Sequence, residues 1–261
     1  MQKVLITGGS EGIGYAFAEY YSSIGSEVFL VARNRMKLID TKNTLENTYH
    51  NAVHMICMDL SLQNSANTLY QQVKDENIDI LINNAGCGYT ERFWKIDIES
   101  EEKMVMLNDM TLMSLTKLFF LDMKKRHDGI ILNVSSTGAF QPGPYIAGYY
   151  ASKAFVASYT RAVYEEAKEY GVRIYCLLPG PVDTDFYRKS GVKAPLHAMK
   201  SERVVAYTVK HMKKKCFIIP GLTNRIVRFL PESIRIYFIK KTKWRNIQKK
   251  GAPKLDEVSR N

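Results

Sequence analysis

The chain has 261 residues, 46% hydrophobic and 24% charged, with a net charge of +11. That length suits one α/β core, and the composition excludes a disordered or fibrous chain. Four cysteines without a C-x-x-C pair exclude a disulfide scaffold and point to a reducing cytoplasm, and five scattered histidines lack ligand spacing, so no metal is expected. No stretch approaches the length of a transmembrane helix, and the chain enters a strand within three residues, so neither a membrane span nor a signal peptide is expected. The charge is uneven: residues 1–199 carry 20 Lys+Arg and 22 Asp+Glu, whereas residues 200–261 carry 17 and 4. The positive excess belongs to the last quarter.

Short apolar runs of buried-strand type fall at 3–7, 27–32, 53–58, 78–82, 129–135, 172–178 and 216–219, with helix-length periodic segments between them. Such alternation predicts parallel strands joined by right-handed crossovers and covered by helices on both faces, a doubly wound sheet in one domain over 1–261. Ligands in such sheets sit beyond the carboxyl ends of the strands.

The first strand runs directly into Gly8-Gly9-Ser10-Glu11-Gly12-Ile13-Gly14, and an apolar-periodic helix follows until Gly25. A strand, a glycine-rich turn and a helix start make a phosphate cradle, because small residues admit a pyrophosphate and the helix start aims N–H groups at it. The second strand ends without an acid, at Ala32-Arg33-Asn34-Arg35. A carboxylate there would accept from the ribose 2′-hydroxyl of NAD; a guanidinium instead pairs with a 2′-phosphate, favouring NADP(H) over NAD(H). The third strand leads to Asp59-Leu60, the fourth to Asn83-Asn84-Ala85-Gly86, and the fifth to Ser135-Ser136. Cys57 and Cys176 lie in strand-like runs and are expected in the core.

Tyr149 and Lys153 are one helical turn apart, so they share a helix face. A free tyrosine holds its proton to about pH 10. A fixed cation nearby lowers that value, which makes the pair a candidate proton donor and acceptor.

The run Thr7-Gly8-x3-Gly12-Ile13-Gly14, Asn83-Asn84-Ala85-Gly86, Ser136, Tyr149-x3-Lys153 and Pro179-Gly180, in that order and spacing, resembles the short-chain dehydrogenase/reductase family over about residues 1–190. The resemblance implies a seven-stranded Rossmann-type fold and an NADP-preferring carbonyl or ketoacyl reductase. It implies that Tyr149 is the general acid in reduction, that Lys153 holds the nicotinamide ribose, and that Ser136 binds the substrate carbonyl oxygen; Ser135 fits that spacing less well. Asn108, in Leu107-Asn108-Asp109, resembles the helix asparagine that anchors a water leading to Lys153. For the cofactor it implies Gly8, Ser10, Glu11, Gly12, Ile13 and Gly14 at the phosphates, and Arg33, Asp59, Leu60, Asn84, Ala85 and Gly86 on the adenosine side. Tyr149, Lys153, Pro179, Gly180, Pro181, Val182 and Thr184 then fall at the nicotinamide. Glu11 stands where many NADP-preferring relatives carry a basic residue.

Cys87, Tyr89, Trp94, Phe140, Tyr145, Phe186 and Tyr187 flank these motifs and predict a pocket for an apolar carbonyl compound. Residues 184–215 lie where the family has a substrate lid. The basic extension 220–261 interleaves Leu222, Ile226, Phe229, Ile234 and Phe238 with Arg225, Arg228, Arg235, Lys240 and Lys241. Packing on the protein itself is the favoured reading; a partner subunit and an anionic membrane surface are the alternatives. A homodimer or homotetramer is expected from the resemblance, and nucleic acid is not, since no reader motif accompanies the charge. The leading function is NADPH-dependent ketone–alcohol interconversion by a cytoplasmic enzyme. A 3-oxoacyl thioester reductase is a narrower alternative, and a non-catalytic NADP-binding or membrane-associated protein is the competing class.

Overall fold

The sheet has the order β3-β2-β1-β4-β5-β6-β7, with every pairing parallel. The strands are β1 Lys3–Thr7, β2 Glu27–Ala32, β3 Val53–Cys57, β4 Ile80–Asn83, β5 Gly129–Val134, β6 Val172–Leu177 and β7 Phe217–Ile218. The computed structural model describes residues 1–185, 198–212 and 215–251, with side chains to residue 248. The predicted strands recur within about two residues at each end.

Side chains alternate between the two faces of each strand, and both faces are buried. Val4, Ile6, Val28, Leu30, Ile80 and Ile82 pack against α1 (Gly12–Ser23) and α7 (Ser201–His211). Leu5, Val31, Leu81 and Ile131 pack on the other side against α3 (Ser65–Val73) and α5 (Leu112–Arg126). Two-sided burial is why these strands read as continuous apolar runs in the sequence. The edge strand β3 departs from it: Cys57 is exposed, correcting its expected core position, while Cys176 in the inner strand β6 is buried. Val204 and Val205 of α7, within the expected 184–215 lid region, are also buried in the core. Residues 186–197 of that lid lie outside the described residues.

A second correction concerns length. Ile98–Arg126 is one helix of 29 residues, long and apolar enough to cross a membrane. It comprises α4 (Ile98–Val105), a π-helical stretch Met106–Thr111, and α5. Half of its apolar window is buried, and Leu107, Leu115, Phe119 and Met123 pack on the sheet, so it serves as a core helix. The sequence pattern missed its length because Asn108 and Asp109 interrupt the apolar run, and both are buried.

Strand order reverses between β1 and β4, and the crevice of a doubly wound sheet opens at such a switch point. The glycine turn follows β1 there, and Asn84-Ala85-Gly86 follows β4. A cleft of about 1070 Å³ lies along this edge.

Candidate active site

The cradle is built by close backbone approach. A Cβ on Gly14 would lie 2.1 Å from the Gly8 carbonyl oxygen, and Gly8 itself has φ +66. Only glycine lets the helix start sit this near the strand end. Glu11 is the N-cap of α1 but makes no side-chain cap, so the first N–H groups of the helix are not consumed by it. Thr7 Oγ1 accepts from the Asn84 and Ala85 N–H groups, both at 3.0 Å, and the Asn84 amide donates to the Thr7 and Gly8 carbonyls at 3.0 and 3.2 Å. The turn after β4 is thereby locked to the turn after β1. A cradle that any side chain would fill suits a pyrophosphate.

At one end of the cleft, Arg33 lies 3.8 Å from Asp59. Burial alone would raise the Asp59 carboxyl, but the Ser61 hydroxyl and amide, with Arg33, hold it below its ordinary value. Leu60 is buried and lines the same end. Lys37, from the first turn of α2 (Arg35–Tyr49), pairs with Glu11 at 2.7 Å and with Asp185 at 3.3 Å.

The structure brings the four expected catalytic side chains together at the centre. Tyr149 and Lys153 come from α6 (Ala147–Ala167) and both line the cleft. Lys153 is 4% exposed; its ammonium donates to the Val134 carbonyl at 3.0 Å and lies 5.7 Å from the Tyr149 ring centre. Burial pulls the Lys153 ammonium down to about 8, although Asp109 opposes the shift. Ser136 lines the cleft and its hydroxyl oxygen accepts from the Gly138 N–H at 3.1 Å, leaving its own O–H to donate. The Ser135 hydroxyl is instead spent on the Lys153 carbonyl, at 2.7 Å.

Asn108 is fully buried and anchors the loop after β4. Its amide oxygen accepts from the Cys87 N–H at 3.0 Å, and its nitrogen donates to the Cys87 carbonyl and the Ser152 hydroxyl at 2.9 and 3.0 Å. A Cβ on Gly86 would fall 3.1 Å from the Asn108 oxygen and 3.2 Å from the Lys153 ammonium. Pro179 accepts from the Thr137 N–H, and Pro181 and Asp183 pair with Met199, which sets Gly180, Val182 and Thr184 on the cleft wall.

Two features escaped the sequence. Asn83, Asn133, Thr116 and Thr160 form a buried hydrogen-bonded chain across β4, β5, α5 and α6. Asp109 is buried beside the lysine, its Oδ1 without a hydrogen-bond partner among the described residues, and burial pushes its carboxyl up to about 7.

On the substrate side, Cys87, Tyr89, Ile146 and Tyr150 line the cleft. Trp94, Phe140 and Tyr145 do not: Trp94 is exposed beside Arg92, while Phe140 and Tyr145 receive the C-terminal extension. After the short α8 (Leu222–Val227), Trp244 of α9 (Glu232–Gly251) sets its ring, tilted, 5.5 Å from that of Tyr145; Arg92 lies 5.0 Å from the Trp244 ring, and Arg235 donates to the Phe140 carbonyl and the Gln141 side chain at 2.6 and 3.0 Å. Lys243 and Asn246 reach the cleft rim. Phe186 and Tyr187 lie outside the described residues.

A cleft with a pyrophosphate cradle in its wall and a phenol–ammonium pair at its centre calls for a dinucleotide whose reactive ring meets the phenol. Such a protein is a nicotinamide-dependent oxidoreductase acting on carbonyl or alcohol groups. The model of the short chain dehydrogenase family matches residues 2–194, and the chain belongs to that family. It is 27% identical over 259 residues to the very-long-chain 3-oxoacyl-CoA reductase of Rattus norvegicus, covering 92% of this chain and 82% of the relative. A short-chain dehydrogenase from Sphingobium yanoikuyae in complex with NADPH superposes with a TM-score of 0.81 at 27% identity, covering 85% of this chain and 89% of that one. A family member from Burkholderia phymatum in complex with NAD shares the fold at 21% identity and a TM-score of 0.79, covering 90% and 95%.

Proposed function

We propose that this enzyme is an NADPH-dependent reductase of an apolar ketone, with a 3-oxoacyl thioester as the favoured substrate class. The observation that carries the chemistry is the buried Lys153 ammonium one turn from Tyr149 in the cleft wall. A nicotinamide held in this cleft would supply the hydride. Tyr149 donates its phenolic proton to the carbonyl oxygen as negative charge develops there, and Ser136 donates a hydrogen bond to the same oxygen. Lys153, held by the Val134 carbonyl, stabilises the phenolate left behind and binds the ribose. Asn108 fixes the Cys87 backbone and so the wall facing Tyr149.

The cofactor preference is supported by Arg33, the absence of an acid at the end of β2, and the NADPH complex of the Sphingobium yanoikuyae relative. The substrate class is supported by the apolar wall of Cys87, Tyr89 and Ile146 and by the name of the Rattus norvegicus relative. Exposed Val105, Met110, Leu121 and Phe155 on neighbouring stretches of the long helix and α6 support a homodimer or homotetramer. Four free cysteines fit a cytoplasmic setting, with peripheral membrane contact through the basic extension.

Tyr149→Phe is expected to leave NADPH binding within about two-fold and to lower kcat with an acyl-thioester ketone by orders of magnitude. Turnover near that of the unaltered enzyme removes the assignment of Tyr149, and no turnover with any ketone in a panel returns the protein to the non-catalytic class. Arg33→Ala should shift kcat/KM away from NADPH about ten- to a hundred-fold while sparing NADH; an unmoved ratio refutes the reading of the β2 end.

A further inference from the structure

Two carboxylates, Glu11 and Asp185, stand at the end of the cleft assigned to a 2′-phosphate, and one ammonium holds both. Lys37 is fixed at its backbone: Asn34 caps α2 by accepting from the Lys37 N–H at 3.0 Å. Its side chain is 41% exposed and has a flexible stem, so the head group can change partners without moving the helix. Three segments meet at that head group: the glycine turn through Glu11, the start of α2, and the chain leaving β6 through Asp185.

Arg33 and Lys37, the cations this reading offers to a phosphate, are both already paired with carboxylates. Arg33 pairs with Asp59 there, and Lys37 pairs with both Glu11 and Asp185. A 2′-phosphate adds about −1.5 to −2 more, with three strong acceptors. Something must turn toward it. Arg33 is already at the mouth, with Asp59 as a loose partner at 3.8 Å. Lys37 lines the same cleft as Arg33.

We propose that Lys37 is a partner-exchanging specificity residue: it joins Glu11 to Asp185 before the cofactor binds, and gives up Asp185 to take the 2′-phosphate when NADPH arrives. Glu11 then keeps Lys37 in place between the two states, in a position where a basic residue would otherwise meet the phosphate itself. Asp185 competes with the phosphate, so releasing it is coupled to the phosphorylated cofactor alone. Coupling of this kind is reciprocal: whatever holds Asp185 away from Lys37 tightens NADPH and leaves NADH untouched.

This inference rests on the NADPH reading, and one set of titrations separates the two. Calorimetric titration of NADPH and NADH into the full chain gives dissociation constants without turnover, for Lys37→Met, Lys37→Arg, Asp185→Asn and the Lys37→Met/Asp185→Asn pair. Lys37→Met should weaken NADPH about ten-fold and leave NADH within two-fold, and Lys37→Arg should restore most of the loss. Asp185→Asn should tighten NADPH about three-fold, and this gain should disappear in the Lys37→Met background. An unchanged NADPH constant in Lys37→Met, or equal weakening of both cofactors, overturns the exchange. An Asp185→Asn gain that persists without Lys37 also overturns it, since competition for the ammonium is then not its origin. If the unaltered enzyme binds NADH more tightly yet Lys37→Met still weakens NADPH selectively, the NADPH preference fails and the assignment of Lys37 stands.

Discussion

Asp109 and Lys153 are buried in one protein core with opposed charges, and each is held away from its ordinary protonation. Burial raises the Asp109 carboxyl to about 7, so the folded chain keeps a proton there that the unfolded chain has lost above about pH 4. Stability from this group falls as pH rises toward 7. Burial lowers the Lys153 ammonium to about 8, against the pull of Asp109, so the unfolded chain binds the extra proton between about 8 and 10.5. Stability from the lysine therefore rises with pH across that window. Asp109→Asn removes the first penalty. The variant should gain several degrees in Tm at pH 8 and little at pH 5, by calorimetry at both values. Lys153 also loses its attracting anion, so the alkaline limb of the kcat/KM profile should move to lower pH. Equal Tm shifts at the two pH values contradict this account. These residues differ in how legible they were. Tyr149 and Lys153 are four positions apart, and their relation follows from the helix period. Asp109 reads as an ordinary helix polar residue, because its burial depends on the sheet beneath it. The Asn83–Asn133 contact spans 50 residues and the Lys37–Asp185 pair 148, and no local pattern encodes either.

At the scale of elements, the strands were legible because two-sided burial demands unbroken apolar runs, and the motifs marked their carboxyl ends. The glycine turn, Asn84 and Ser136 accordingly fall where the strand ends placed them. The edge strand misled, since Cys57 sits in an apolar run with only one neighbour to cover it. The long helix misled for the converse reason: its polar break at Asn108 and Asp109 is a π-helical stretch that turns both inward, and such stretches recur at functional sites. The C-terminal extension could be read only as amphipathic and basic. Its docking depends on Arg235 reaching a carbonyl 95 residues away, which is a tertiary fact. Arg235→Ala should therefore loosen α9 while sparing the cradle. Amide exchange across 232–248 should accelerate about ten-fold or more, and KM for the ketone should rise several-fold with the NADPH constant unchanged. Exchange in α9 that matches the unaltered enzyme would show that Trp244 and the remaining contacts hold the helix without this arginine.

The whole molecule joins a near-neutral catalytic body to a strongly basic last quarter, and the join lies at the cleft rim. The inward side of the extension packs on Phe140, Gln141 and Tyr145, in line with the favoured self-packing reading. Its outward side leaves Phe229 75% exposed and Phe238 58% exposed, with Leu222, Ile226 and Tyr237 exposed as well. Apolar rings flanked by Lys240 and Lys241 suit the interface of an anionic bilayer, where rings enter the headgroup region and each cation near the surface adds about 1 kcal/mol. With Lys243 and Asn246 at the rim, a long acyl chain would pass from such a surface to Tyr149 beneath the extension. Co-sedimentation with vesicles containing phosphatidylserine should capture the enzyme at low ionic strength. Binding should fall steeply toward 0.5 M salt, vanish on neutral vesicles, and weaken at least ten-fold in Phe229→Ser/Phe238→Ser with kcat on a short soluble ketone preserved. Association that ignores both salt and lipid charge, accompanied by a larger particle in light scattering, would instead assign these rings to contact between copies of the chain. The acyl substrate would then have to enter from solvent.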